Sequence, residues 1–403
     1  MELGPIWRAM LRNKGGFILI ALQIAVTMTI MVNAVAIIQE RSRDMARPSG
    51  IDEPNTFTLA SVTFASGIDR RRLIEEDLEL IRNVPGVRNA TASNSMPLRQ
   101  GGWSEGLSLE AGADTSDSSS AIYFVDEHGL DTFALELVDG ENFAPNQVEW
   151  DDPESSSWPA VAIITQALAE DLFPDETGSY VGKTFYVDEN NPVNIIGIVE
   201  RMQAPWPSWS GVERAMLVPQ RRDEELTRYI IRTEPGYRDE LMPQIEEMLA
   251  QSSTERIIRS VRTMDDVRKM AYLGEAGMVS MLKFIVGLLT IITGLGIVGL
   301  ASFNVSRRTR QIGIRRALGA TRVAIVRYFM VENFLVSTIG IAAGAVLAIG
   351  LNMWMVESFA LEPLSWYVIP AAMVILWIVG QVAVAGPARR AANVTPAIAT
   401  RSS

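Results

Sequence analysis

Gly15 to Ile38 is a run of 24 residues without a charged side chain. As a helix it reaches about 36 Å, enough to cross the hydrocarbon core of a bilayer. A helix at the surface of a soluble protein keeps a polar stripe, and this run has none. Phe284 to Phe303, Phe334 to Leu351 and Trp366 to Gly386 have the same character. The pattern predicts an α-helical membrane protein with four transmembrane helices in a one-plus-three order, with a long polar stretch between the first and second. Ala34-Val35-Ala36 also resembles a signal-peptide cleavage site, but the apolar run is longer than a signal core and continues through Ile37 and Ile38. On either reading the stretch that follows is exported.

Basic residues accumulate in short cytoplasmic segments and so predict the orientation. Arg8, Arg12 and Lys14 precede the first span. Arg307, Arg308, Arg310, Arg315, Arg316, Arg322 and Arg327 separate the second from the third with no acid among them, and Arg389, Arg390 and Arg401 follow the fourth. The connection between the third and fourth spans carries only Glu357 and Glu362. These signs place both termini inside the cell, in a bacterial inner membrane. The expected order is then a cytoplasmic N-terminus (1–14), the first span (15–38), an exported domain (39–277), a stalk end and second span (278–303) and a cytoplasmic segment (304–328). A third span (329–351), an outer loop (352–365), a fourth span (366–386) and a cytoplasmic tail (387–403) complete it.

Composition narrows the chemistry. There is no cysteine, and His128 is the single histidine, set in an ordinary Asp-Glu-His-Gly turn. Thiolate metal sites and a cysteine nucleophile are excluded; a histidine metal site or a Ser-His-Asp triad would have to rest on that one residue, which reads better as a solvated loop histidine. The exported stretch holds 43 acidic and 22 basic side chains, a net of −21, while the rest of the chain sums to +10. Such an acidic domain argues for solubility outside the membrane and against nucleic acid as a partner.

Within that domain the pattern alternates between period two and period 3.6, a mixed α+β reading. A strand is expected over Asn55–Ser66 and a helix over Arg70–Val84 with Ile74, Leu78 and Ile81 on one face, stopped by Pro85-Gly86. A strand and helix follow over Ala160–Phe173, then strands at Thr184–Val187, Val193–Val199 and Leu226–Arg232. A helix at Tyr237–Ala250, a strand at Arg256–Val261 and a helix from Met264 complete the series. Thr115–Ser120 and Glu149–Pro159 read as mobile loops of an inserted subdomain at about 105–215. Trp206 and Trp209, in a proline-rich turn, either cover a local core or form a contact surface.

Several features invite over-reading. Gly178-Ser-Tyr-Val-Gly182-Lys183-Thr184 has three residues between its glycines where a phosphate-binding loop needs four. Lys283 and Glu332 lie at the edges of apolar spans, where snorkelling explains a charge. Gly340, Gly344 and Ala348 recur every four residues, as do Thr290 and Gly294, which suits close helix packing, either with a second copy or within one chain.

The segment SRRTRQIGIRRALGATR, Ser306 to Arg322, is the most specific motif. As a helix it would gather Arg308, Arg315, Arg316 and Arg322 on one side and Ile314, Ala317, Leu318 and Thr321 on the other. Gly319 suits its end, and Thr321 can cap the next helix. A plain cationic anchor would need no such pattern. The segment closely resembles the cytoplasmic signature of the FtsX/MacB-like permeases of ABC transporters. The one-plus-three helix order and the tail PARRAANVTP (Pro387–Pro396) resemble that family too. The stretches NVPGV (Asn83–Val87) and ITQALAEDLFP (Ile164–Pro174) resemble its MacB-like periplasmic domain. Ser306 and Gln311 stand where family members often carry acids, so a salt bridge from those positions to an ATPase is not expected.

The resemblance implies a mechanotransmission permease without a catalytic site of its own. ATP and Mg would bind to a separate cytoplasmic ABC ATPase, and no cofactor would bind to this chain. The implied coupling residues are Arg308, Arg310, Gln311, Ile312, Gly313, Ile314, Arg315, Arg316, Ala317, Leu318 and Gly319. Implied partners are a second permease, identical or paralogous, membrane lipid, and in some systems a MacA-like adaptor and an outer-membrane channel. The implied function is efflux of extracytoplasmic cargo such as a peptide, an antibiotic or a lipid-linked molecule. LolC/LolE-like lipoprotein release and FtsX-like regulation of a cell-wall hydrolase are the alternatives.

Overall fold

The computed structural model describes residues 14–65, 67–152, 158–188, 190–359 and 363–395. Two compact units result: Ala46–Gly274, and Met1–Met45 together with Glu275–Ser403.

The first unit is the acidic domain. β1 (Thr56–Thr63), β2 (Val87–Ala92), β11 (Leu226–Thr233) and β12 (Arg256–Thr263) form an antiparallel sheet in the order β12-β1-β11-β2. One face of it, with Phe57, Leu59, Tyr229 and Ile231, packs against α2 (Arg70–Arg82) and α5 (Arg238–Ser252) through Ile74, Leu78, Ile81, Leu241, Ile245 and Leu249. α2 starts where the Asp69 carboxylate accepts the Arg72 N–H at 3.2 Å, a cap that satisfies an otherwise orphaned donor. It gives way at Asn83, and Gly86 turns the chain at φ +93°. In this layer Asp77 is buried, receiving Arg256 and, at 2.6 Å, the hydroxyl of Tyr229.

All the remaining strands come from the continuous insertion between β2 and β11. β3 (Trp103–Ser108), β4 (Ser118–Val125), β7 (Val161–Thr165), β8 (Thr184–Val187), β9 (Asn191–Val199) and β10 (Ala215–Arg221) pair in the order β4-β3-β8-β9-β7-β10. A parallel pairing of β10 with β4 closes the ring into a small barrel. Its interior is filled by Ile122, Phe124, Ile164, Phe185, Ile195 and Met216, with Leu168 and Leu172 of α4 (Gln166–Leu172). β5 (Leu137–Gly140) pairs with β9, and β6 (Glu149–Trp150) with the end of β10. A short α3 (Gly129–Phe133) follows His128, and α6 (Met264–Ala271) ends the domain.

The insertion reaches from β3 through β10. Thr115–Ser120 is not simply a loop, because β4 begins at Ser118, whose hydroxyl donates to Asp171 at 2.5 Å. Glu149 and Trp150 form a strand, and residues 153–157 of the second expected loop lie outside the described residues. The stretch resembling a phosphate loop turns at Gly182 (φ +86°) into a strand rather than a helix, and Lys183 pairs with Glu176. Trp206 and Trp209 are half-buried and meet edge to face, with ring centroids 6.0 Å apart.

Among the described residues the second unit holds four helices long and apolar enough to cross a membrane. They are α1 (Lys14–Ala46), α7 (Leu273–Arg307), α9 (Arg322–Phe359) and α10 (Val368–Ala392). α1, α7 and α9 run well past their apolar cores, since no breaker intervenes before Pro48 and none precedes the second core. α1 is stitched to its neighbours by side chains on two faces. Gln23 donates to the Ile292 carbonyl at 3.1 Å and the Thr27 and Thr293 hydroxyls are 2.7 Å apart, joining α1 to α7. Thr29 and Asn33 reach the carbonyls of Gly344 and Ala348 at 3.2 and 3.3 Å, joining it to α9. Gly340 and Gly344 lie against α1: a Cβ added at Gly344 would fall 2.6 Å from Met28 Cβ and 2.7 Å from the Ala25 carbonyl oxygen. Both glycines thus take part in close packing within the chain. Gly294 has more room, with Val379 at 3.7 Å, and Thr290 donates back to Val286 of its own helix.

Candidate coupling site at the end of the helix bundle

Between α7 and α9 the chain breaks twice. Arg308 leaves helical geometry at φ −102°, ψ 9°, and starts a separate nine-residue helix, α8 (Thr309–Ala317). α8 ends on Gly319 at φ +96°, a conformation that costs an L residue but not glycine. The Thr321 hydroxyl then accepts the Ala324 N–H at 3.2 Å and caps α9. Both terminating residues were legible in the motif.

The orientation of α8 was not. Its inward face is Ile312 and Gly313, and Ile312 joins Val305, Ile325, Phe329, Ala388 and Ala391 in a small apolar cluster. Ile314, Ala317 and Leu318 face outward, with Leu318 83% exposed. Three of the arginines of the cationic side turn back onto the bundle. Arg308 donates to both carboxylate oxygens of Glu332 at 3.0 and 3.1 Å. Arg315 stacks over the Tyr328 ring, 5.1 Å from its centroid. Arg316 donates to the carbonyl of Ala392, where the last turn of α10 leaves acceptors unpaired and favours a cation. Arg310, Gln311, Arg322, Arg327, Arg389 and Arg390 remain on the exposed rim. Glu332 does not snorkel as expected; it is buried and paired with Arg308. One signal could have found that pair, since Glu332 is the only acid between Glu275 and Glu357.

The turn is thus fastened to α9 by an ion pair, to α10 by a cap, and to both by the Ile312 cluster, while an apolar tip stands clear on a basic rim. Among the described residues no group of three or more acids or histidines could hold a metal ion.

The family model of the MacB-like periplasmic core domain matches residues 17–248, and that of the FtsX-like permease C-terminal region matches residues 283–396. The chain belongs to the FtsX/MacB-like ABC transporter permease family. Among similar proteins is an uncharacterized ABC transporter permease, YknZ, of Bacillus subtilis (strain 168), 22% identical over 81% of this chain and 78% of that protein. The macrolide export ATP-binding/permease protein MacB of Shewanella oneidensis is 26% identical over 69% of this chain and 41% of its own length. The pyoverdine export ATP-binding/permease protein PvdT of Pseudomonas savastanoi pv. phaseolicola is 25% identical over 71% and 43%. The chain thus spans less than half the length of the export proteins. It is a membrane permease with an extracytoplasmic α+β domain, a transporter component rather than a catalytic enzyme. At the two departures from the motif, the Ser306 hydroxyl donates back to Ser302 at 3.1 Å and Gln311 is exposed.

Proposed function

We propose that this permease couples ATP hydrolysis by a separate cytoplasmic ABC ATPase to motion of its extracytoplasmic domain, driving efflux of extracytoplasmic cargo. The observation that carries the reading is the exposed apolar tip at Ile314, Ala317 and Leu318, held on a turn that is braced on its inner side. An exposed leucine with basic neighbours suits a groove with an acidic rim on a soluble partner. In this reading ATP and Mg bind to that partner. The basic residues around the turn and at the end of α10 support a cytoplasmic location for this end of the bundle and for both termini. The relatives' names differ in cargo, macrolide against pyoverdine, so the cargo class stays broad: a peptide, an antibiotic or a lipid-linked molecule. Work at the two faces of the membrane is expected to involve a second permease and, for delivery across an outer membrane, an adaptor and channel.

Leu318→Asp tests the reading. The side chain is too exposed for the change to alter stability by more than about 0.5 kcal/mol. The variant should insert normally and lose both copurification with the ATPase and permease-dependent stimulation of ATP hydrolysis. Wild-type stimulation by a correctly inserted variant would reduce the segment to a cationic anchor.

A further inference from the structure

The face of the four-stranded sheet away from α2 and α5 holds an unusual group of charges. Arg228 of β11, Ala60 of β1 and Arg259 of β12 stand side by side across three strands, and Arg262 stands opposite Thr58, two residues along β1 on the same face. Arg259 and Arg262 are three apart and would point to opposite faces of a regular strand. They share one because β12 carries an extra residue there, two against the single Leu59 of β1, with Ser260 at φ +57°. The small side chain of Ala60 leaves room between the rows.

Above this face the loop at Leu98–Gln100 and helix α6 enclose a cavity of about 180 Å³, into which Arg99, Arg228, Arg262 and Ser260 are gathered. The loop is held in place: Gln100 donates through its side chain to the Ala271 carbonyl and through its backbone to that of Pro205, at 2.6 and 2.8 Å. Leu98 and Gln100 also have positive φ, +66° and +62°, so three of the five such non-glycine residues among those described line this one cavity. Backbone in that region costs free energy and persists where its surroundings impose it.

Among the described residues none of the four arginines has a carboxylate partner, in a domain with nearly twice as many acids as bases. Arg228 is only 5% exposed and its Nε has no hydrogen-bond partner. Burial, and after it the charges of Arg99, Arg262 and Arg259, push its guanidinium down to about 10. A buried, unpaired cation among like charges is among the costliest arrangements in a protein interior, and an anion offsets it. Guanidinium forks match the oxygens of a tetrahedral oxyanion, and three or four together favour one with two charges over a carboxylate.

We propose that this cavity is a binding site for a phosphate group, with Arg228 as its buried anchor and Arg99 and Arg262 as the outer clamp. The phosphate comes either free from the surrounding solution or as the headgroup of a lipid. The site belongs to the extracytoplasmic domain and does not depend on how the coupling turn works.

The test uses the full chain in neutral detergent, followed by thermal unfolding with sodium phosphate, with sodium chloride at equal ionic strength, and with dihexanoyl phosphatidic acid below its critical micelle concentration. Phosphate should raise the melting temperature saturably and chloride should not. Arg99→Ala/Arg262→Ala, two exposed positions, should weaken the apparent affinity at least tenfold. Arg228→Leu should abolish the response and melt higher than wild type without ligand, a signature that a merely structural arginine would not give. A tenfold tighter response to the lipid than to phosphate identifies a headgroup site, and an equal one a site for the free ion. A response reproduced by chloride, or unchanged in the double variant, overturns the proposal.

Discussion

At the coupling turn Arg308 meets both oxygens of Glu332 and Arg316 closes the end of α10, whereas in the acidic domain Arg228 lies deeper than either and meets no acceptor through its Nε. Arg256, buried two strands away, sits at the first extreme, held by Asp77, the hydroxyl of Ser252 and the Leu249 carbonyl. The same side chain serves as a fastener where its donors are used and as a receptor where they are left open. Positive charge in the sequence does not distinguish these roles; the partners do.

The largest effect that could break this contrast is at the fasteners. Glu332→Gln leaves Arg308 buried against a neutral amide and should destabilise the bundle by about 3 kcal/mol, while Arg308→Met/Glu332→Leu should recover most of the loss. Denaturation in mixed micelles measures both, and a single variant as stable as wild type would show the pair to be incidental. Arg256→Leu should cost about as much, because Asp77 is left without its cation. Arg228→Leu should have the opposite sign, a gain of about 1 kcal/mol without anion, and equal losses at the two positions would erase the distinction.

The smallest effect is one of pH. Burial draws the Glu53 carboxyl upward, but hydrogen bonds from Arg268 and Ser49, with the charge of Arg268, outweigh it and hold it below the usual 4.5. A folded-state value lower than the unfolded one contributes stability that is fully present above 4.5 and lost as pH falls through the lowered value. Arg268→Gln should lower the stability at neutral pH by that contribution, flatten the acid limb in that window, and leave the stability below the lowered value little changed.

The regular elements were legible because their periods are strong. α2 buries Ile74, Leu78 and Ile81 as its spacing required, and β8 occupies Thr184–Val187 as expected. The missed strands have local reasons. β10 carries Pro219 within its run, and β4 opens with three serines, two of which are buried only because the ring closes over them. α8 was visible with its stop at Gly319, but not its facing. Periodicity sorts residues into two sides without saying which is inside, and here arginines satisfied by Glu332 and Ala392 took the inner position. The arginine cavity was hidden altogether, since its members come from Arg99, Arg228 and β12, and the bulge at Ser260 is what aligns the last two.

The interrupted sheet also orders the making of the protein. β1 pairs only with β11 and β12, on either side of it, so after synthesis it must wait, both edges bare, until Leu226–Thr263 has followed. The barrel draws all of its strands from the intervening stretch and can close on itself in the meantime. Contacts so distant in sequence form slowly, and bare strand edges invite the wrong partners. The inserted barrel is then the first part of the domain to become safe from aggregation, and the sheet that carries the arginines is the last.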